Sequence, residues 1–268
     1  VVFGAEDREL QRVVALKTTD AEENTTARGL RLIHEARICA NLEHPGITPV
    51  YDISKACDGR VCFTMRKVSG RSLGELIREA EGAGVKPDQI ATCDQCVEIF
   101  IRIGEAVSFA HHQGYLHQDI KPDNIMLGEF GETTLMDWGT AIKLEDGHRG
   151  SGKIMGTPAY MSPEQARKVC SDVRSDVYAL GASLFHALFL RYPTWAADAS
   201  EFWEKKRAGT IDPLTEHEQS HLPAPLSAVL LKAMAPEPDE RYQSVQEFVT
   251  DLQRFQRGQS LSAYNESL

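Results

Sequence analysis

The sequence predicts an α+β fold, with strand patterns crowded into its first quarter and helical patterns filling the rest. Short apolar runs bounded by polar turns recur at Val1 to Asp7, Arg12 to Lys17, Ile47 to Ile53 and Val61 to Met65, as strands do. The long patterns beyond them are helical: Gln95 to His112, Val177 to Leu190, Leu226 to Met234 and Val245 to Phe255. A chain of 268 residues has room for one large domain or two lobes, with an ample core.

Taken in order, the first two strands are joined by a polar turn, and the second ends in Lys17. Ala27 to Leu42 is helical because Leu32, Ala36 and Cys39 fall at i, i+4 and i+7 on one face, with Glu35 beside it. His44-Pro45-Gly46 ends that helix, and Ile47 continues as a strand. After the buried strand ending at Met65, Leu73 to Ile77 is a short helix, and Glu79 to Thr92, with two glycines and a proline, is a loop. Val97, Ile101, Ala106 and Phe109 are core candidates of the long helix that follows. Pro122 should keep His117 to Asn124 out of helical geometry. Ile125-Met126-Leu127 then forms a short buried strand. A turn at Gly128 to Gly131 leads to a second strand, which ends in Asp137 and Gly139. Glu145 to Lys153 is polar and glycine-rich, the composition of a mobile loop. Ser175-Asp176 should cap the helix from Val177, which is apolar on most sides and must run through the core. Phe202-Trp203 marks another helix, and Gly258 to Leu268 is polar and small, as an exit linker would be.

Composition narrows the function classes. A formal charge of −10 argues against a nucleic-acid partner, which usually calls for a basic face. No apolar run reaches the roughly 18 residues that span a bilayer, and no signal peptide is visible. Six cysteines scattered without a framework suit a reducing, cytoplasmic compartment. Cys93-x-x-Cys96 has metal-ligand spacing but no second pair, so the start of a helix is the preferred reading. His111, His112 and His117 cluster without forming a recognisable metal set. Because the first residue is Val1, the chain is expected to belong to a longer protein with flanking domains, a reading that leaves room for a membrane anchor elsewhere.

The chemistry concentrates at His117-Gln118-Asp119-Ile120-Lys121-Pro122-Asp123-Asn124. A loop of this kind can aim a carboxylate, an ammonium and an amide oxygen into one pocket. Phosphoryl transfer needs that set: a base for the hydroxyl, a cation for phosphate, an oxygen ligand for magnesium. Together with Asp137-Trp138-Gly139, the stretch resembles the catalytic loop and metal-binding motif of eukaryotic-type Ser/Thr protein kinases, in a bacterial style. Val14-Ala15-Leu16-Lys17 is similar to that family's lysine-bearing strand. Gly156-Thr157-Pro158-Ala159-Tyr160-Met161-Ser162-Pro163-Glu164 is similar to its substrate-docking segment, and Pro238-Asp239-Glu240-Arg241-Tyr242 supplies a partner for Glu164. The departures are Gln118 for the usual arginine, Trp138 for phenylalanine and Ser162 for alanine.

The resemblance implies a two-lobed protein kinase-like fold. Residues 1–66 would form a small, mostly antiparallel β lobe with one helix, lacking the first strand and the glycine loop, which would precede Val1. Residues 67–258 would form a larger, mainly helical lobe, and residues 259–268 an exit linker. It further implies ATP and Mg²⁺ as cofactors and protein substrates as partners. Asp119 would be the base, Lys121 and Lys17 would stabilise phosphate charge, and Glu35 would pair with Lys17. Asn124 and Asp137 would hold the metal. Val2, Ala15 and Met126 would sandwich adenine, Met65 would stand behind it, and the backbone of Arg66 and Val68 would hydrogen-bond it. Lys121 and Thr157 point to serine or threonine as acceptor. Without the glycine loop, the segment alone should bind ATP weakly.

Glutamine at Gln118 cannot pair with a loop phosphate as arginine does, so activity should depend little on phosphorylation at Ser151 or its neighbours, whatever Arg149, Lys153 or Lys143 contribute. The alternative is a pseudokinase-like nucleotide-binding or scaffold domain, against which every charged catalytic position is intact. A small-molecule phosphotransferase would lack Lys121, the Pro163-Glu164 ending and Arg241.

Overall fold

The computed structural model describes residues 1–19, 26–56, 58–147 and 156–264. Strand β1 (Val2–Asp7) forms a hairpin with β2 (Arg12–Thr18), with Val2 opposite Lys17 and Asp7 opposite Arg12. Helix α1 (Thr26–Asn41) follows, then β3 (Val50–Lys55) and β4 (Val61–Arg66). The sheet is antiparallel in the order β1-β2-β4-β3. Leu32 and Ala36 of α1 pack on Ala15, Phe63 and Met65 to make the small core, so the i, i+4 stripe read from the sequence is the buried face. Ile47 lies outside β3 and instead forms a parallel bridge to Leu135, because Pro49 interrupts the expected continuous strand.

Chain direction then passes into the helical part through β5 (Arg71–Ser72) and α2 (Leu73–Ala83). A Ser72–Glu75 capping box starts α2, and Gly84, at φ 68°, ends it in the left-handed conformation. The helix therefore runs past Ile77, and Glu79 to Ala83 is helical where a loop was expected. Gly82 stands in open space and only weakens that turn, while Ala80 is fully buried. A 3₁₀ turn at Asp88–Ile90 precedes α3 (Cys93–His112), whose first turn holds Cys93 and Cys96 behind a Thr92–Gln95 capping box.

After α3 come β6 (Tyr115–Leu116), β7 (Ile125–Leu127), β8 (Thr133–Leu135) and β9 (Ile142–Lys143); β5, β7 and β8 form one small sheet, β6 and β9 another. Pro122 opens a single 3₁₀ turn, Pro122–Asn124, where its missing amide costs nothing. Four residues of α4 (Leu144–Gly147) are helical, and the rest of the expected mobile loop lies outside the described residues, with Arg149, Ser151 and Lys153.

Helix α5 (Pro163–Ala166) leads to α6 (Val173–Phe189), in which every residue from Ser175 to Leu188 is buried. Its cap is Asp172, which accepts from the Arg174 amide; Ser175 and Asp176 sit inside the first turn and are released for other bonds. Helix α3 packs against α6 together with α9 (Ala224–Ala233) and α10 (Val245–Gln256), while α7 (Ala199–Ala208) packs on α5 and the unforeseen α8 (Glu216–His221) precedes α9. The segment after α10 folds back: Leu261 enters the core, and Asp251 accepts from Ser262 N, Ser262 Oγ and Ala263 N.

The end of the docking segment is tied by Arg241, which forms two 2.8 Å bonds to Glu164, one to each carboxylate oxygen, while Ser175 Oγ donates to Oε1 at 2.6 Å. Burial alone would raise the Glu164 pKa, but Arg241 and Ser175 outweigh it and hold the carboxyl below its usual value. Its contribution is thus present above the unfolded carboxylate range and is lost as pH falls through the depressed value. Arg241→Met should cost about 3–5 kcal/mol in urea unfolding at neutral pH, since it strands a buried carboxylate. A loss under about 1 kcal/mol would place the pair with ordinary surface bridges.

Candidate active site

Strand β2 carries Lys17 to the lobe interface, where its Nζ lies 2.6 Å from Glu35 Oε1 and 3.0 Å from Asp137 Oδ1. Burial would push the Lys17 pKa down, but the two carboxylates outweigh it and keep the group a cation well into the alkaline range. Burial likewise works to raise Asp137, and Lys17 overcomes it, leaving that carboxyl below its ordinary value. Asp137 sits between β8 and a 3₁₀ turn at Trp138–Thr140, with left-handed dihedrals of φ 59° and ψ 73°. A non-glycine residue there is strained and must be held by its surroundings.

The loop from His117 is held from below by Asp176. Its Oδ2 accepts from the His117 amide at 2.9 Å and pairs with His111 Nε2 at 2.8 Å, while Oδ1 accepts from the Gln118 amide at 3.0 Å. These bonds fix Gln118 at φ 71°. His117 is fully buried, packs edge-on against Trp138 at 4.6 Å and bonds the Met136 carbonyl at 3.2 Å. Burial lowers its pKa, which suits a packing residue rather than an acid or base. His112 is exposed and takes no part in the cluster.

Above that base, Asp119 is braced on both oxygens. Lys121 Nζ donates to Oδ2 at 2.8 Å, and the Thr157 amide donates to Oδ1 at 2.7 Å. Lys121 also reaches Thr157 Oγ1 at 2.7 Å. Asn124 donates to the Asp119 carbonyl at 2.9 Å, which directs its side-chain oxygen the other way. Gly156, at φ 96°, passes so close that a Cβ would stand 2.8 Å from the Gln118 carbonyl and 3.3 Å from Asp119 Oδ1. Gln165 Nε2 bonds that same carbonyl at 3.2 Å.

The residues assigned to a nucleotide are more dispersed. Ala15 and Met65 are paired across β2 and β4 and buried together. Val2 is half-exposed on β1, Met126 and Val68 are partly buried, and the Arg66 amide is bonded to the Pro49 carbonyl at 3.1 Å. Among the described residues, no three His, Cys, Asp or Glu side chains gather as a metal cluster.

Two side chains that sequence reasoning missed hold the turn at Pro158–Tyr160. His186 Nδ1 bonds Tyr160 Oη at 2.8 Å, and Lys206 Nζ donates to the Ala159 carbonyl at 2.9 Å. Both come from helices far along the chain, and neither belongs to a short motif.

A lysine–glutamate–aspartate ion network and a braced carboxylate, carried by a small antiparallel sheet and a larger helical part, agree with a protein kinase domain. The sequence profile of the protein kinase domain matches residues 1–263, and the chain belongs to that family. Similar proteins include the serine/threonine-protein kinase PknD of Chlamydia trachomatis serovar L2b, 34% identical over 286 residues, with 96% of this chain and 30% of the relative covered. PknD of Chlamydia felis is 33% identical over 280 residues, and PknD of Chlamydia muridarum 34% over 288, each again covered for 30% of its length. The chain thus spans less than a third of these relatives.

Asp176→Asn should cost about 1–3 kcal/mol, because an amide nitrogen would face one of the loop amides and leave it unpaired. Urea unfolding checks the loss, and hydrogen exchange at His117 and Gln118 should accelerate with it.

Proposed function

We propose that this domain transfers the γ-phosphate of ATP to serine or threonine hydroxyls of proteins. The observation that carries the reading is Asp119, braced between Lys121 and Thr157, together with the Lys17–Glu35–Asp137 ion network. Asp119 orients the acceptor hydroxyl and takes its proton as the oxygen attacks phosphorus. A positioned base of this kind contributes roughly 10²–10⁴-fold. Lys121 lies beside the proton acceptor and offsets negative charge on the transferred group. Lys17, kept cationic by Glu35, holds the other phosphates.

The donor set also fits Mg²⁺, which takes one or two carboxylate-type oxygens and completes its shell with phosphate and water. Asp137 supplies one carboxylate and Asn124 one amide oxygen. Held there, Mg²⁺ would supply positive charge that offsets the negative charge of the phosphates. Ala15 and Met65 form the apolar wall for adenine with Val2 and Met126, and the backbone of Arg66 and Val68 meets its edge. The acceptor preference rests on the Lys121–Thr157 contact and on the serine/threonine kinases among the similar proteins. We place the lobe division at residues 66 and 67. The length of the relatives supports flanking domains in the whole protein. Among the described residues, no helix is long and apolar enough to cross a membrane.

Asp119→Asn should lower turnover by roughly 10²–10⁴-fold while leaving ATP affinity within about twofold, because Asp119 acts on the hydroxyl. Asp137→Asn should instead weaken binding of the metal–nucleotide complex. Radiolabelled phosphate transfer and calorimetry separate the two effects, and equal turnover by wild type and Asp119→Asn would overturn the assignment.

A further inference from the structure

Helix α7 is polar almost throughout, and the residue it buries is a lysine. Lys206 is wholly inaccessible, while its neighbours Lys205 and Arg207 are not. Its ammonium donates to the Ala159 carbonyl, stands 3.5 Å from the Tyr178 hydroxyl and lies 4.9 Å from the Tyr178 ring centroid. The Arg241 guanidinium approaches the same ring at 5.1 Å. The charged and titratable groups facing Lys206 are therefore Tyr178 from α6, Glu164 from α5 and Arg241 from the loop before α10. Two cations share one carboxylate, and Arg241 already occupies both oxygens of that carboxylate.

This is a poor arrangement for stability. A buried ammonium without its own counter-ion carries a desolvation cost that an apolar side chain of equal length avoids. Burial, reinforced by Arg241 and opposed by Glu164, brings the Lys206 pKa down to about 7. What the ammonium adds over a methionine is its bond to Ala159. That carbonyl lies one residue before Tyr160, whose hydroxyl is held by His186 on α6. The turn is thus pinned from two helices at adjacent residues.

We propose that Lys206 is a positioning residue for the protein substrate, fixing the Pro158–Tyr160 turn through the Ala159 carbonyl and so setting how tightly the site holds the residue after the target hydroxyl. The proposal rests on the kinase reading above. It separates substrate binding from chemistry, because Lys206 touches neither Asp119 nor the ion network of Lys17.

The test is Lys206→Met in the intact protein, with a serine-containing protein substrate that the wild type phosphorylates. The KM for that substrate should rise about tenfold, the worth of one lost charge-assisted hydrogen bond. The KM for ATP and the substrate-independent hydrolysis of ATP should stay within twofold, and the melting temperature should not fall. A second measurement needs only the wild type alongside the variant. The ammonium is the stronger donor and is present below about pH 7, so the wild-type substrate KM should rise between pH 6 and pH 8. In Lys206→Met that rise should be absent. An unchanged substrate KM in an active protein overturns the proposal alone. So does a joint loss of melting temperature, kcat and ATP affinity, which marks a merely structural residue. A wild type that transfers no phosphate sinks the kinase reading and the proposal with it.

Discussion

One buried carboxylate organises the active site. Asp176 stands in the first turn of the most buried helix and spends both oxygens on two consecutive loop amides and a histidine. The left-handed backbone at Gln118 is costly for a residue with a side chain and persists because those bonds hold it. From there the constraint spreads along two routes. His117 carries it to Trp138 and the Met136 carbonyl, hence to Asp137. The Gln118 carbonyl carries it to Gln165, and the close passage of Gly156 leads on to Thr157 and the second oxygen of Asp119. The His117–Asn124 loop, the turn at Asp137 and the segment from Gly156 to Gln165 thus take their positions from a single core helix.

Charge is distributed in this protein by how completely each ion is matched. Glu164 has a guanidinium and a hydroxyl. Lys17 has two carboxylates, an excess that suits a cation whose second partner can be exchanged. Lys206 has none of its own: it bonds carbonyl and phenol oxygens, and the nearby Glu164 carboxylate is already taken by Arg241. The same desolvation penalty therefore yields a permanently charged lysine at one place and a lysine poised near neutrality at another.

Most of the fold was legible because its patterns are local. The stripe of Leu32, Ala36 and Cys39 is buried as periodicity requires, and the strands expected at Arg12 to Lys17 and Val61 to Met65 form within one residue of those ends. The candidate site could be read because His117 to Asn124 and Asp137 to Gly139 are contiguous motifs, which the fold links through His117 and Trp138. The misses have a common cause: the deciding partner is either subtle or distant. Helix α2 outran its expected end because Gly82 weakens a helix without stopping one, while Gly84 stops it. Ser175 and Asp176 looked like caps because the true cap, Asp172, precedes the unremarkable pair Val173 and Arg174. His186 and Lys206 draw their roles from contacts 26 and 47 residues away, which no short window contains.

The stitch between the lobes has a mechanical consequence. Gly46 accepts from the Leu135 amide, Ile47 bridges Leu135, and Thr48 reaches the Met136 sulfur, all just beyond the last turn of α1. That end of the helix is a fulcrum, and Glu35 lies six residues, about 9 Å, along the arm from Asn41. A tilt of about 10° at the fulcrum sweeps Glu35 through about 1.6 Å, by the helical rise per residue. Added to a 2.6 Å contact, such a sweep takes the Lys17–Glu35 pair beyond hydrogen-bond length. Closer to the fulcrum, the bridge at Ile47 would barely register the same tilt. Leverage therefore makes the lysine's partner a far more sensitive gauge of such a tilt than the bridge at Ile47, and the adjacent His34 bond to the Ala141 carbonyl is the stay that steadies it.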